Sequence, residues 1–161
     1  MSKENFYNTI ADEFDSIMNM YDTNRRIEVI FDDFLGNENL KDKSILDGGC
    51  GTGLFTKKAI ERGAQVTSID IAPKLVELTK KKNPTTNAIE ASLLKLPFED
   101  NTFDYVISSE VIEHTPNPYD AAKELIRVLK PNGKICITVP NRTFWFFSVK
   151  IANVLKMRNY Q

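Results

Sequence analysis

The chain has 161 residues, 42% hydrophobic and 27% charged, the balance of a globular protein rather than a disordered one. That length suits one domain with a core of its own, and a formal net charge of -1 offers no global field for a polyanion, so no nucleic-acid partner is expected. The polar start Met1-Ser2-Lys3-Glu4-Asn5 lacks the apolar core of a secretion signal, and no run approaches the roughly 20 apolar residues of a spanning helix. Cys50 and Cys136 have no Cys-x-x-Cys companion. They read as free thiols of a reducing compartment, the cytoplasm.

In chain order, Phe6, Ile10, Phe14 and Ile17 recur at helical spacing and predict an amphipathic helix. A second helix is predicted from Arg25 to Leu35, with Ile27, Ile30, Phe31 and Phe34 on one side. Gly36 and the polar stretch Asn37 to Lys43 break the pattern. Ser44 to Asp47 reads as a short strand ending in a glycine cluster, followed by a helix from Leu54 to Arg62 that Gly63 stops. Gln65 to Asp70 is a second strand, and Pro73 opens a helix that ends before Asn83-Pro84. Further strands are expected at Ala88 to Ala91 and Phe103 to Ser109, the latter apolar through its middle as a strand covered on both faces should be. Asn117-Pro118 opens a helix carrying Leu125, Val128 and Leu129, closed by Pro131 and Gly133, and Lys134 to Val139 is the fifth strand. Strand and helix in alternation predict an α/β fold, a doubly wound and mainly parallel sheet with helices on both faces.

The chemistry concentrates at Asp47-Gly48-Gly49-Cys50-Gly51-Thr52-Gly53. In an open parallel sheet, ligands sit where the first strand feeds the first helix, and glycines there let backbone close on the ligand. Gly49-x-Gly51-x-Gly53 departs from the dinucleotide pattern, since Leu54 replaces its last glycine, and no Gly-Lys-Ser/Thr follows as in a P-loop. A ligand joining an amino-acid moiety to a nucleoside fits better. Asp70 ends the second strand about 20 residues further on, where a carboxylate can accept from both ribose hydroxyls. Asp47, at the end of the first strand, can face a ligand ammonium. The plainer readings are a glycine turn and an aspartate cap before Pro73.

Ile45 to Gly53 resembles the first motif of class I S-adenosylmethionine (SAM)-dependent methyltransferases, in particular the type 11 and ubiquinone-biosynthesis O-methyltransferase-like group. The resemblance continues through Ser68-Ile69-Asp70, Leu96 to Asp104, Glu110 to His114 and Arg127 to Gly133, so it spans roughly Ser44 to Asn141. It implies a Rossmann-like fold and SAM as cofactor. Asp47, Gly48, Gly49, Cys50 and Gly51 would lie at its methionine end, Asp70 on the ribose and Ile71 on adenine. Ser109 and Glu110 would close the pocket. Ser92, beside Leu93, stands where the family often carries an acid for the adenine amino group. It also implies that residues 1–43 fold as a helical lid over a core of 44–140, with Tyr7, Phe14 and Tyr21 suited to the lid and Arg25 or Arg26 to the SAM carboxylate.

Glu110, Glu113 and His114, the one histidine, form a Glu-x-x-Glu-His run. If a helical turn begins at Glu110, both carboxylates share a face beside the imidazole. The set then suits a divalent cation such as Mg²⁺ or a catalytic pair, with His114 as general base and Glu113 beside it. It resembles the cation site of small-RNA 2′-O-methyltransferases and ubiquinone-pathway O-methyltransferases. The alternative gives Glu110 to SAM and makes His114 a support for the loop before Thr115-Pro116.

Residues 141–161 are basic and aromatic, and are expected to form a helix that packs on the sheet or, through 143–156, touches a membrane surface or lipidic substrate. Relatives continue into two further strands, so the chain is expected to be truncated, with an open fifth strand able to pair in a homodimer. The function expected is methyl transfer from SAM to a small-molecule oxygen, nitrogen or carbon. The alternatives are a SAM-binding module that is catalytically incomplete without a partner, and a nicotinamide-dependent oxidoreductase.

Overall fold

The computed structural model describes residues 2–17 and 20–140; the helix expected over 141–161 lies outside them. Five strands, β1 (Ser44–Gly48), β2 (Gln65–Asp70), β3 (Asn87–Glu90), β4 (Phe103–Ser109) and β5 (Leu129–Thr138), form one sheet in the order β3-β2-β1-β4-β5. Every pairing is parallel. Side chains alternate across it, as strand geometry requires. Ile45, Val66 and Ile107 pack with Ile30, Phe31, Phe55 and Ala59 on one face. Leu46, Ile69 and Val106 pack with Leu125 and Val128 on the other. With both faces covered, Ile45, Leu46 and Val106 are wholly buried, which is why β1 and β4 place apolar residues side by side, Ile45-Leu46 and Tyr105-Val106-Ile107, rather than in alternation.

The crossover helices are α4 (Leu54–Glu61), α5 (Pro73–Lys82) and α6 (Pro118–Arg127), preceded by α1 (Lys3–Ile10), α2 (Phe14–Ile17) and α3 (Met20–Glu28). Proline opens both α5 and α6, and the Asn117 side chain caps α6 by accepting from the Tyr119 and Asp120 N–H groups.

Three elements differ from expectation. The first helix breaks at a 3-10 turn, Ala11–Glu13, and Phe6 and Ile17 are exposed. The stripe that packs on Ala72 and Leu75 is Tyr7, Ala11 and Phe14, a different helical register from the one expected. The second helix passes into a π-helical turn, Val29–Phe34, whose wide end is held by Arg62 donating to the carbonyls of Phe31, Gly36 and Glu38. Finally, α6 stops at Arg127, and Leu129 already belongs to β5 opposite Phe103. Pairing resumes at Lys134 opposite Tyr105 after an irregularity, with Asn132 at φ 65°.

Candidate functional site: a cofactor cavity at the carboxyl ends of the strands

The strand order reverses between β1 and β4, and the crevice there opens into a cavity of about 540 Å³. Gly49, Cys50, Gly51, Asp70, Ile71, Ser92, Leu93, Ser109 and Glu110 all reach it, joined by Arg26 and His114. Residues separated by up to 88 positions thus meet at the ends of β1, β2 and β4.

Gly49, Gly51 and Gly53 have φ of 85°, 54° and 83°, the left-handed region that side chains avoid. A Cβ on Gly49 would also lie 2.4 Å from the Val111 side chain, so bare backbone is required there. The loop is tied from behind by α5: Thr79 Oγ1 donates to the Gly51 carbonyl (2.8 Å) and Asn83 Nδ2 to that of Gly53 (3.1 Å). Asp70 Oδ2 accepts the Gly51 N–H and Oδ1 the Ala72 N–H, both at 3.0 Å. Burial pushes its pKa up, and these backbone donors pull the other way. A buried, oriented carboxylate beside bare loop backbone fits a ribose next to an amino-acid moiety. Ile71 is 40% exposed at the same wall, an apolar surface for a base.

Asp47 and Gly48 stand behind the loop rather than on the cavity wall. A Cβ on Gly48 would point at Leu93 and Leu125. Asp47 is enclosed below α4 and accepts from Thr56 Oγ1 at 2.6 Å. Thr56 bonds to Ser68, Ser68 to Thr86, and Thr86 donates to the Val66 carbonyl. Desolvation pushes the Asp47 pKa from 3.8 up to about 6. The folded state therefore holds a proton that the unfolded chain has lost, and stability present at low pH is lost as pH rises through about 6. Urea midpoints measured across this window should fall with rising pH, and Asp47→Asn should flatten that slope.

Arg26 reaches in from α3. Its Nη1 donates to Ser109 Oγ (2.8 Å), its Nη2 to Thr23 Oγ1 (3.1 Å), and its Nε lies 3.3 Å from Asp22 Oδ2. Arg25 pairs with Glu28 on the exposed side, so of the two arginines Arg26 is the one at the cavity. Ser109 is fixed in turn by Thr138 Oγ1 (2.8 Å). Ser92 Oγ accepts the Leu94 N–H at 3.2 Å and keeps its own O–H to give.

The structure does not gather Glu110, Glu113 and His114 into a cation site: among the described residues no group of three His, Cys, Asp or Glu is placed to hold a metal. The expected helical turn fails because Glu110 takes φ 58° and Val111 φ -127°, so the 3-10 turn starts only at Ile112. Glu110 and Glu113 therefore do not share a helical face. Glu113 lies off the cavity wall. Both its carboxylate oxygens are enclosed and take no hydrogen bond from another described residue, and desolvation raises its pKa. Glu113 Oε1 lies 3.9 Å from His114 Nε2. The imidazole meets Tyr7 edge to face at 6.2 Å, and desolvation, then the Lys3 charge, lower its pKa below 6.5. It is a neutral base at pH 7.

Three contributors to the site were not anticipated from the sequence. Val111, Thr79 and Asn83 shape and tether the glycine loop. Thr79 and Asn83 carried one legible signal, polar side chains four apart on the helix facing the loop.

Comparison with known proteins agrees with this geometry. Residues 46–137 match the family model described as a methyltransferase domain. The chain is 33% identical over 114 residues to the ubiquinone biosynthesis O-methyltransferase of Xanthomonas oryzae pv. oryzae, covering 67% of this chain and 47% of the relative. It is 34% identical over 123 residues to the demethylmenaquinone methyltransferase of Staphylococcus aureus, covering 72% and 51%. The chain thus spans about half the length of the curated relatives it matches. Among solved structures, a SAM-dependent methyltransferase from Aquifex aeolicus shares the fold with a TM-score of 0.60 at 23% identity, covering 69% of this chain and 62% of that one. The [4+2]-cyclase SpnF superposes with a TM-score of 0.58 at 26% identity, covering 62% and 39%. The glycine loop, the Asp70 carboxylate beside it and the family match agree: this chain belongs to the class I SAM-dependent methyltransferases.

Proposed function

We propose that the chain forms the cofactor core of an enzyme that moves a methyl group from SAM to a small-molecule acceptor. The observation that carries this reading is Asp70 opposite the left-handed glycine loop on one cavity, each bonded to the other through the Gly51 N–H. SAM supplies an already activated methyl group, so the protein's work is alignment and exclusion of water. Asp70 accepts from the ribose hydroxyls, Ile71 packs on the adenine, and Ser92 gives its O–H to a ring nitrogen. Arg26 keeps N–H groups beyond those bound to Ser109 and Thr23 for the ligand carboxylate. Tyr7, Phe14 and Val111 close the apolar side.

His114 takes the proton of the acceptor, and Glu113 steadies the imidazolium that forms. An aryl hydroxyl is the favoured acceptor, because a neutral imidazole can deprotonate it and one curated relative is a ubiquinone biosynthesis O-methyltransferase. Cys50 and Cys136 are free thiols, which fits a cytoplasmic setting, and no helix among the described residues is long and apolar enough to cross a membrane. Among the described residues no strand pairs with the outer edge of β5.

Calorimetry should give binding of SAM and its demethylated product S-adenosylhomocysteine, and none of NAD. Turnover of aryl hydroxyls by the full-length protein should decline only below pH 6.5, as His114 becomes protonated, and His114→Gln should erase that acidic limb with cofactor affinity intact. The cyclase relative shows that this fold does not dictate the reaction. Cofactor binding without transfer to any acceptor would therefore favour the catalytically incomplete module.

A further inference from the structure

Residues 2–17 run across the cavity, with Ser2, Lys3, Glu4, Tyr7 and Phe14 on its wall. Several contacts hold this cover to the core, and they are unequal. Lys74 meets it twice, through its N–H to Asn8 Oδ1 (3.1 Å) and its ammonium 4.0 Å from Asp12, both at exposed positions that water and salt weaken. Asp15 is held more closely: Oδ1 accepts from Thr52 Oγ1 and Oδ2 from Lys82 Nζ, each at 2.5 Å. Thr52 is buried, while Asp15 and Lys82 are each about half-covered. Thr52 belongs to the glycine loop itself, and the neighbouring Phe14 ring stands over Gly51, where a Cβ would come within 3.2 Å of it. A continuous path of bonds thus runs from Lys82 on α5 through Asp15 to Thr52, and from adjacent Gly51 to Asp70.

We infer that Asp15 is a positioning residue that latches the N-terminal cover to the cofactor loop, so that the spent cofactor leaves only after this latch opens. The inference rests on the reading that the cavity holds SAM and its product. A carboxylate gripped by a hydroxyl and an ammonium is the strongest class of polar contact the cover makes. Its hydroxyl partner is part of the loop against which the ligand lies, so cover and loop move together. The latch opposes escape more than entry, since entry occurs while it is already open.

Stopped-flow displacement of S-adenosylhomocysteine from the full-length protein tests this. Asp15→Ala is expected to speed dissociation about tenfold, equivalent to about 1.4 kcal/mol, with the association rate nearly unchanged. Thr52→Val should give the same acceleration, Thr52→Ser should restore slow release, and the double variant Asp15→Ala/Thr52→Val should add little to either single change. Higher ionic strength should speed release from the wild type more than from Asp15→Ala, which keeps the exposed Lys74–Asp12 pair. Wild-type release rates in folded Asp15→Ala and Thr52→Val variants would overturn the latch. A wild type that binds no SAM or S-adenosylhomocysteine would instead overturn the reading beneath it.

Discussion

Replacing Gly51 with valine is expected to abolish SAM binding while leaving the protein folded. The residue holds φ 54°, and a β-branched side chain in that region costs about 1–3 kcal/mol. The new side chain would also start 3.2 Å from the Phe14 ring, in the space between cover and loop. Backbone that relaxed to relieve this would give up the Asp70 bond to the Gly51 N–H and the Thr79 bond to its carbonyl. None of these contacts belongs to the two large apolar clusters, so cooperative unfolding should persist with a lower midpoint. Calorimetry alongside circular dichroism separates the two effects. A folded variant with ordinary affinity would move the cofactor away from this loop.

Asp70→Ala is expected to weaken binding at least about 100-fold, because each hydrogen bond to a charged acceptor contributes about 1.5–3 kcal/mol and two ribose hydroxyls lose theirs. The variant also frees the N–H groups of Gly51 and Ala72, so part of the loss comes from a looser loop. An analogue of S-adenosylhomocysteine lacking both ribose hydroxyls separates the contributions. It should bind wild type weakly, and the substitution should penalise it much less than the natural ligand. Equal penalties for the two ligands would show that Asp70 acts only through the loop.

Sequence and structure agree best where local rules and packing coincide. β2 and β4 were legible to the residue because turn and cap residues bound them on both sides and their apolar residues sit among β-branched and small ones. The boundary between α6 and β5 was not, because Leu129 is apolar and continues the helical spacing of Leu125 while its backbone pairs with Phe103. The first helix was read in the wrong register because Phe6 and Ile17 are exposed on a cover whose inner stripe begins at Tyr7. At the site, the glycine loop and Asp70 were legible from spacing within one βαβ unit. Asp15 and Val111 act across the chain, and nothing local announces such contacts. The turn at Glu110 was misread for another reason: a left-handed residue that is not glycine leaves no mark in the sequence.

The motif from Leu96 to Asp104 gains a plain explanation. Arg127 donates to the carbonyls of Leu96 and Phe98 and pairs with Asp100 and Glu124, while Glu124 accepts the Leu96 N–H. The two motifs that bracket this clamp keep the loop from Leu96 to Asp100 in shape, next to the cavity residues Leu93 and Leu94.

The reversal of strand order has a consequence for redesign. On the proposed reading, the walls built from β1 and β2 take the cofactor, whereas the segment Ser109 to Pro116 follows β4 and carries His114. The two halves touch closely at Val111, whose side chain fills the space a Cβ on Gly49 would need, so the segment beyond Val111 is the part free to vary. Exchanging the Ile112 to Pro116 segment for that of another member, with Val111 kept against Gly49, should therefore retune which acceptor is taken while the glycine loop and Asp70 carry on unaltered.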